Sequence, residues 1–173
     1  MNIVVLCGGL SNERDVSLST GTGAANALCA LGHNAVLIDL YLGYTEPFDD
    51  PAEVFARAAE LGGRKIGESS PDLDAVRAMR PDADCLIGPN VLTLCRAADF
   101  VFLALHGEEG ENGKLQATLD VHGVRYTGSG YLGSAIAMNK GLTKMVLREN
   151  GLPTPDGITV RKGETPYADV GFP

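Results

Sequence analysis

Several things are missing from this 173-residue chain, and each absence narrows the field. It has no tryptophan, and aromatics make up only 6% of it, a poor supply for a sandwich core. Net positive charge is absent too: the formal charge is −8, which argues against a broad nucleic-acid or anionic-membrane surface. No apolar run approaches the ~20 residues that a membrane-spanning helix needs. No basic n-region precedes the first apolar segment, because Met1-Asn2 leads straight into it. A soluble, cytoplasmic protein with no membrane and no nucleic-acid partner is expected.

The four cysteines, Cys7, Cys29, Cys85 and Cys95, contain no C-x-x-C pair, so buried free thiols are expected rather than disulfides or a zinc site. The dinucleotide fingerprint G-x-G-x-x-G is also missing after the first apolar run, which disfavours a nicotinamide oxidoreductase. Asp39 ends a strand about where Rossmann enzymes place a ribose-binding acid, but without the glycines that role has no support.

What is present is glycine, 22 residues of it, and a repeated pattern of buried strand, polar turn and helix. The first apolar run begins at Asn2-Ile3, breaks at Gly8-Gly9 and restarts with helical spacing. Leu18, Gly21, Ala25 and Leu28 share one face, with Ala24 and Leu31 beside them. The turn between holds Ser11, Asn12, Glu13, Arg14 and Asp15, where strand ends meet helix N-termini and open α/β sheets bind ligands. Glu13 beside Arg14 could clasp an amino acid, acid to ammonium and guanidinium to carboxylate, or form a surface ion pair of little worth. Asp15 is a candidate helix cap.

Asn34 to Leu40 reads as a second strand, Pro51 to Leu61 as a helix, and Gly62 to Arg80 as a polar surface excursion with a short helix over Leu73 to Met79. Asp84 to Arg96 is ambiguous between strand and helix. Phe100 to Leu105 is continuously apolar, as in a parallel sheet, and runs into His106-Gly107-Glu108-Glu109-Gly110-Glu111-Asn112-Gly113. His106 at such a strand end is either a structural hydrogen bonder or a ligand contact. Glu108, Glu109 and Glu111 read as a solvated acidic rim rather than a metal set. Lys114 to His122 fits a helix, Val124 to Tyr126 a short strand, and Thr127 to Gly130 a flexible junction. Tyr131 to Met138 and Lys140 to Asn150 fit helices, and Gly157 to Arg161 a strand. Lys140 and Lys144 lie four apart at a helix start, on one face, as solvated lysines or phosphate contacts.

Together these segments resemble the D-alanine–D-alanine ligases of the ATP-grasp superfamily. Gly8 to Ser17 is similar to that family's opening G-G-x-S-x-E-R-x-V-S. Ala104 to Gly113 with Gln116 resembles A-L-H-G-x-x-G-E-D-G-x-x-Q; Tyr126 to Gly130 resembles Y-T-G-S-G; Ser134 to Lys140 resembles S-A-x-x-M-D-K. Gly151 to Pro155 is similar to the G-L-P-T-P that precedes the nucleotide-binding strands. The resemblance implies that Glu13 and His106 serve the first D-alanine, Glu13 taking its ammonium and His106 orienting its carboxylate, with Ser17 in the same substrate loop. It implies that Lys140, and Lys144 with a less defined role, reach ATP phosphates. Asn112 and Asn139 stand where the family has Asp, losing a charge while keeping capping capacity.

The fold expected is α/β: a three-layer, mostly parallel, Rossmann-like pre-ATP-grasp domain over residues 1–128, then the start of an α+β ATP-grasp domain over 129–173. The chain's apolar ending at Val170 to Pro173 reads as a cut. The family's later lysine strand, serine-rich loop and acidic Mg2+ ligands have no counterpart here, so catalysis by this chain alone is not expected, and most contacts for ATP and Mg2+ lie elsewhere. A homodimer through the N-terminal domain is implied. The alternatives are a ligase joining D-alanine to D-lactate or D-serine, and a non-catalytic dimerisation or binding module.

Overall fold

The computed structural model describes residues 1–58, 70–81 and 83–163. Three parallel strands, β1 (Asn2–Cys7), β2 (Asn34–Asp39) and β3 (Phe100–Leu103), form a sheet in the order β2-β1-β3. β1 is central, and its alternation divides the core. Val4 and Leu6 face one way with Ile38, Leu94, Val101 and Leu119, while Ile3, Val5 and Cys7 face the other with Ala25, Ala35 and Ala104.

The second face is covered by α1 (Arg14–Ala30). Its contact stripe is made of small residues, so the helix sits close to the sheet. A Cβ at Gly21 would lie 2.7 Å from the Cβ of Cys7 and 2.9 Å from Cδ1 of Leu37. Leu18 and Leu28 pack at the margins as the spacing predicts, but Leu31 does not join them: it follows the last helical residue and is 73% exposed. The first face is covered by α2 (Pro51–Ala56), α4 (Val91–Ala97) and α6 (Lys114–Val121), which bring Val54, Phe55, Leu94, Cys95, Leu115 and Leu119 onto it. Helices on both faces of a parallel sheet are the three layers expected.

α3 (Leu73–Ala78) lies within the polar excursion and is capped by the Asp72 side chain. Its end docks on Tyr41: Arg80 donates from Nη1 to the Tyr41 carbonyl at 2.5 Å, and its guanidinium lies 4.8 Å over the ring. The expected positions 59–69 of the α2 segment and the excursion fall outside the described residues.

Several expected boundaries are corrected. The third strand ends at Leu103 rather than Leu105, although Ala104 still donates to the Leu6 carbonyl before the chain turns away. Val124 to Tyr126 contributes only a bridge, Val101 to Tyr126. Asp84 to Arg96 resolves into bends and then α4. Gly157 to Arg161 is not a strand, and the sheet of the described residues holds β1, β2 and β3 alone.

Beyond the sheet, α5 (Glu108–Glu111) is a single turn, and α7 (Tyr131–Met138) and α8 (Lys140–Glu149) pack against each other. Exposed apolar side chains concentrate there, including Leu132 at 59% and Met145 at 66%. The asparagines that replace aspartates keep their backbone bonds. The Asn139 side chain accepts from Leu142 N–H at 3.0 Å, capping α8, and Asn112 accepts from Lys114 N–H at 3.1 Å.

All four cysteines are free, but they are not all buried, since Cys85 is exposed. Burial pushes the Cys95 thiol up to about 12. At pH 8, N-ethylmaleimide is therefore expected to label Cys85 in native protein and spare Cys95, read by peptide mass mapping; rapid labelling of Cys95 would contradict its burial. Gly21→Ala forces α1 off β1 and should destabilise by about 1–3 kcal/mol, visible as a lower thermal midpoint.

Candidate functional site

The candidate site forms where β1 and β3 end, and two buried serines hold their loops together. Ser17 is fully buried; its hydroxyl accepts from Gly8 N–H at 2.8 Å and donates to the Ala104 carbonyl at 2.8 Å. Ser11 donates to the His106 carbonyl at 2.6 Å and accepts from Glu13 N–H at 3.2 Å. Each clamps the first loop to the third strand's exit across nearly a hundred residues of sequence. Ser17 therefore positions the site from beneath. Its hydroxyl is out of solvent and both its bonds are taken by backbone, so the expected member of the substrate loop ties that loop to the exit of β3.

The pairing imagined between Glu13 and Arg14 is also replaced. Arg14 turns inward, 6% exposed, donating from Nη1 to the Gly9 carbonyl at 2.6 Å and from Nη2 to Asp39 Oδ2 at 2.5 Å. Asp39 Oδ1 accepts from the N–H groups of Tyr41 and Leu42 at 2.9 and 3.0 Å. Asp39 thus folds the end of β2 onto the first loop, a structural use of the acid that leaves no free carboxylate for a ribose. Gly8 is required at this crossing: its φ is +72°, and a Cβ there would strike the Asp39 carboxylate.

With Arg14 turned away, Glu13 projects outward. It occupies the N-cap position of α1, ahead of Asp15, yet its side chain makes no capping bond. Its carboxylate, an imidazole nitrogen of His106 and a carboxylate oxygen of Glu111 all lie within 4.8 Å of one another. Gly107 serves this turn through its φ of +69°, which side chains rarely adopt; the space itself would take a Cβ, in ordinary contact at 3.4 Å from Ser11 Cβ and 3.8 Å from Glu13 Cδ. The imidazole is held from outside by Thr20, whose Oγ1 is 3.1 Å from Nε2. Among the described residues, neither Glu13 nor Glu111 has an ion-pair partner. Two uncompensated carboxylates beside an imidazole attract a cation, whether ammonium or metal.

Glu111 was missed by the sequence reading, which left it in a solvated rim. Its only signal was the one-turn helix that Gly107 and Gly110 permit, and which Gln116 secures by donating from Nε2 to the Gly110 carbonyl at 2.7 Å. Lys140 and Lys144 are not in this cluster. They lie on α8, Lys140 exposed and Lys144 donating from Nζ to the Asp156 carbonyl at 3.4 Å.

Residues 2–129 match the family model described as the D-ala D-ala ligase N-terminus. The chain belongs to that family. It is 44% identical to the D-alanine–D-alanine ligase of Lacticaseibacillus casei over 99% of its own length and 48% of that protein's. It is 35% identical to the ligase of Carboxydothermus hydrogenoformans over 96% of its length and 39% of that protein's. Among solved structures, the ATP complex of the Bacillus anthracis ligase superposes with a TM-score of 0.59 at 28% identity, covering 95% of this chain and 40% of the other. The Coxiella burnetii ligase does so with a TM-score of 0.60 at 25% identity, covering 96% and 47%. The chain thus spans about half the length of its relatives or less. No helix among the described residues is long and apolar enough to cross a membrane.

The Arg14–Asp39 pair gives this region its own test. Removing one partner of a buried pair strands the other, so Asp39→Ala should cost about 3 kcal/mol, measured as a lower urea midpoint. An unchanged midpoint would mean that the pair does not tie β2 to the first loop.

Proposed function

We propose that this chain is the substrate-side half of an ATP-dependent D-alanine–D-alanine ligase acting in peptidoglycan precursor synthesis. The observation that carries the reading is the meeting of Glu13, His106 and Glu111 at the strand-end edge of the sheet. A zwitterionic amino acid presents an ammonium, which two free carboxylates can accept, and a carboxylate, which an imidazole N–H can orient. Glu13 holds the ammonium of the first D-alanine, Glu111 adds a second acceptor, and His106 turns the carboxylate towards the phosphoryl donor. Carboxylates are poor electrophiles, and ATP supplies the remedy by making this one an acyl phosphate that the amine of the second D-alanine attacks. The chain's own contribution is placement of the first substrate, which converts an encounter into a bound, aligned pair.

Lys140 suits a phosphate contact: it is exposed at the N-terminus of α8 and has no partner among the described residues. Lys144 is the accessory cation one turn on. The set of two carboxylates and an imidazole is a poor fit to Mg2+, which prefers oxygen ligands and retained waters. The Mg2+ of the reaction therefore belongs to residues outside this set. Residues 1–128 form the substrate domain and 129–173 open the nucleotide-binding one. A homodimer through the first of these, in the cytoplasm, completes the proposal.

Two measurements test it. In an NMR titration of the 173-residue chain, D-alanine should shift resonances of Glu13, His106 and Glu111. Glu13→Gln, which keeps the shape and loses the charge, should weaken that binding about tenfold. Equal weak effects of D-alanine and acetate would remove the ammonium reading. The same chain, given ATP and D-alanine, should release phosphate only at background; clear turnover would contradict the assignment of this chain to the substrate side alone.

A further inference from the structure

At the opposite end of the sheet, where β1 and β3 begin, the molecule gathers positive charge that the proposed reaction does not use. A cleft of about 590 Å³ is lined by Met1, Arg96, Asp99, His122 and Arg125 among others. The strands separate it from Glu13 and His106 by roughly 20 Å, at ~3.3 Å per residue.

Three different parts of the fold deliver two guanidiniums and an imidazole. Arg96 is in the last turn of α4, His122 caps the C-terminus of α6, and Arg125 lies on the segment whose carbonyl accepts from Val101 N–H at 2.8 Å. Arg125 is thereby held beside β3. The one acid of the group, Asp99, is engaged, Oδ2 accepting from Asn2 N–H at 2.8 Å.

Neither Arg96 nor Arg125 has an ion pair, and neither guanidinium has a hydrogen bond, among the described residues. Two forks of five donors each are left to solvent in a chain whose formal charge is −8. The partial negative charge at helix C-termini accounts for a cation at Arg96. It does not account for Arg125, which follows no helix end directly and faces the same cleft.

We propose that this cleft binds a small phosphate-bearing anion, its oxygens taken by the guanidiniums of Arg96 and Arg125 with His122 at the side. Planar guanidinium forks match phosphate oxygens in pairs, and the volume suits a ligand larger than a free phosphate ion. The site is separate from the phosphate contact assigned to Lys140 and independent of the ligase reading.

The test is calorimetric titration of the 173-residue chain with pyrophosphate in low salt, joined to amide NMR to locate the site. One saturable event is expected, with shifts at Asp99, His122, Gly123 and Arg125. The double variant Arg96→Gln/Arg125→Gln should bind at least about tenfold more weakly with an unchanged melting profile, since both side chains are exposed and charge-assisted bidentate bonds are lost. Arg57→Gln, which removes a cation paired with Glu53 elsewhere, should bind as the parent does. Four results would overturn the proposal: no saturation below about 10 mM, shifts confined to the start of α8, undiminished binding by the double variant, or citrate binding as tightly as pyrophosphate.

Discussion

The ion pair between Arg14 and Asp39 is the constraint on which the rest of this structure depends. It is nearly dry, with side-chain exposures of 8% and 13%, so each charge needs the other. Its geometry does three things together. It folds the end of β2 over the first loop, it imposes glycine at position 8, and it withdraws the arginine from the surface. Because Arg14 faces inward, the neighbouring Glu13 is left facing out with no ion-pair partner among the described residues. An apparent ligand-clasping pair in the chain is thus one structural residue and one available residue.

The two serine clamps transmit that arrangement to the third strand. Ser17 links the Gly8 amide to the Ala104 carbonyl, and Ser11 links the Glu13 amide to the His106 carbonyl. Both are short side chains in which one oxygen donates and accepts, so they fix two loops without filling the space above them. The result is a floor of backbone and hydroxyls under a rim of exposed Glu13 and Glu111 and half-buried His106. Placement of charged groups on a tethered floor suits a site whose task is orientation rather than acid–base work.

Much of the scaffold was legible because buried parallel strands and small-residue helix faces leave direct traces. The apolar runs from Asn2 and Phe100, and the recurrence of Gly21 and Ala25, follow from where side chains must go in a three-layer packing. Short elements were not legible in this way. The segment expected as a strand over Gly157 to Arg161 forms none among the described residues, and strand pairing is a property of two segments, not of one. Glu111 left only the faint trace of flanking glycines, because a one-turn helix has no periodicity to read.

The sequence by itself determined the strands and helices around the sheet, the glycine turns, and the residues that could carry charge at the strand ends, because all these follow from local pattern and side-chain chemistry. Only the tertiary structure decided which charges are spent inside and which face out. Asp39 and Arg14, Ser17 and Ala104, Glu13 and Glu111 are each remote in burial or in sequence from what their types alone imply. Whether a polar group is a tether or a contact depends on which other segment comes within hydrogen-bond distance, and that distance exists only in the folded chain.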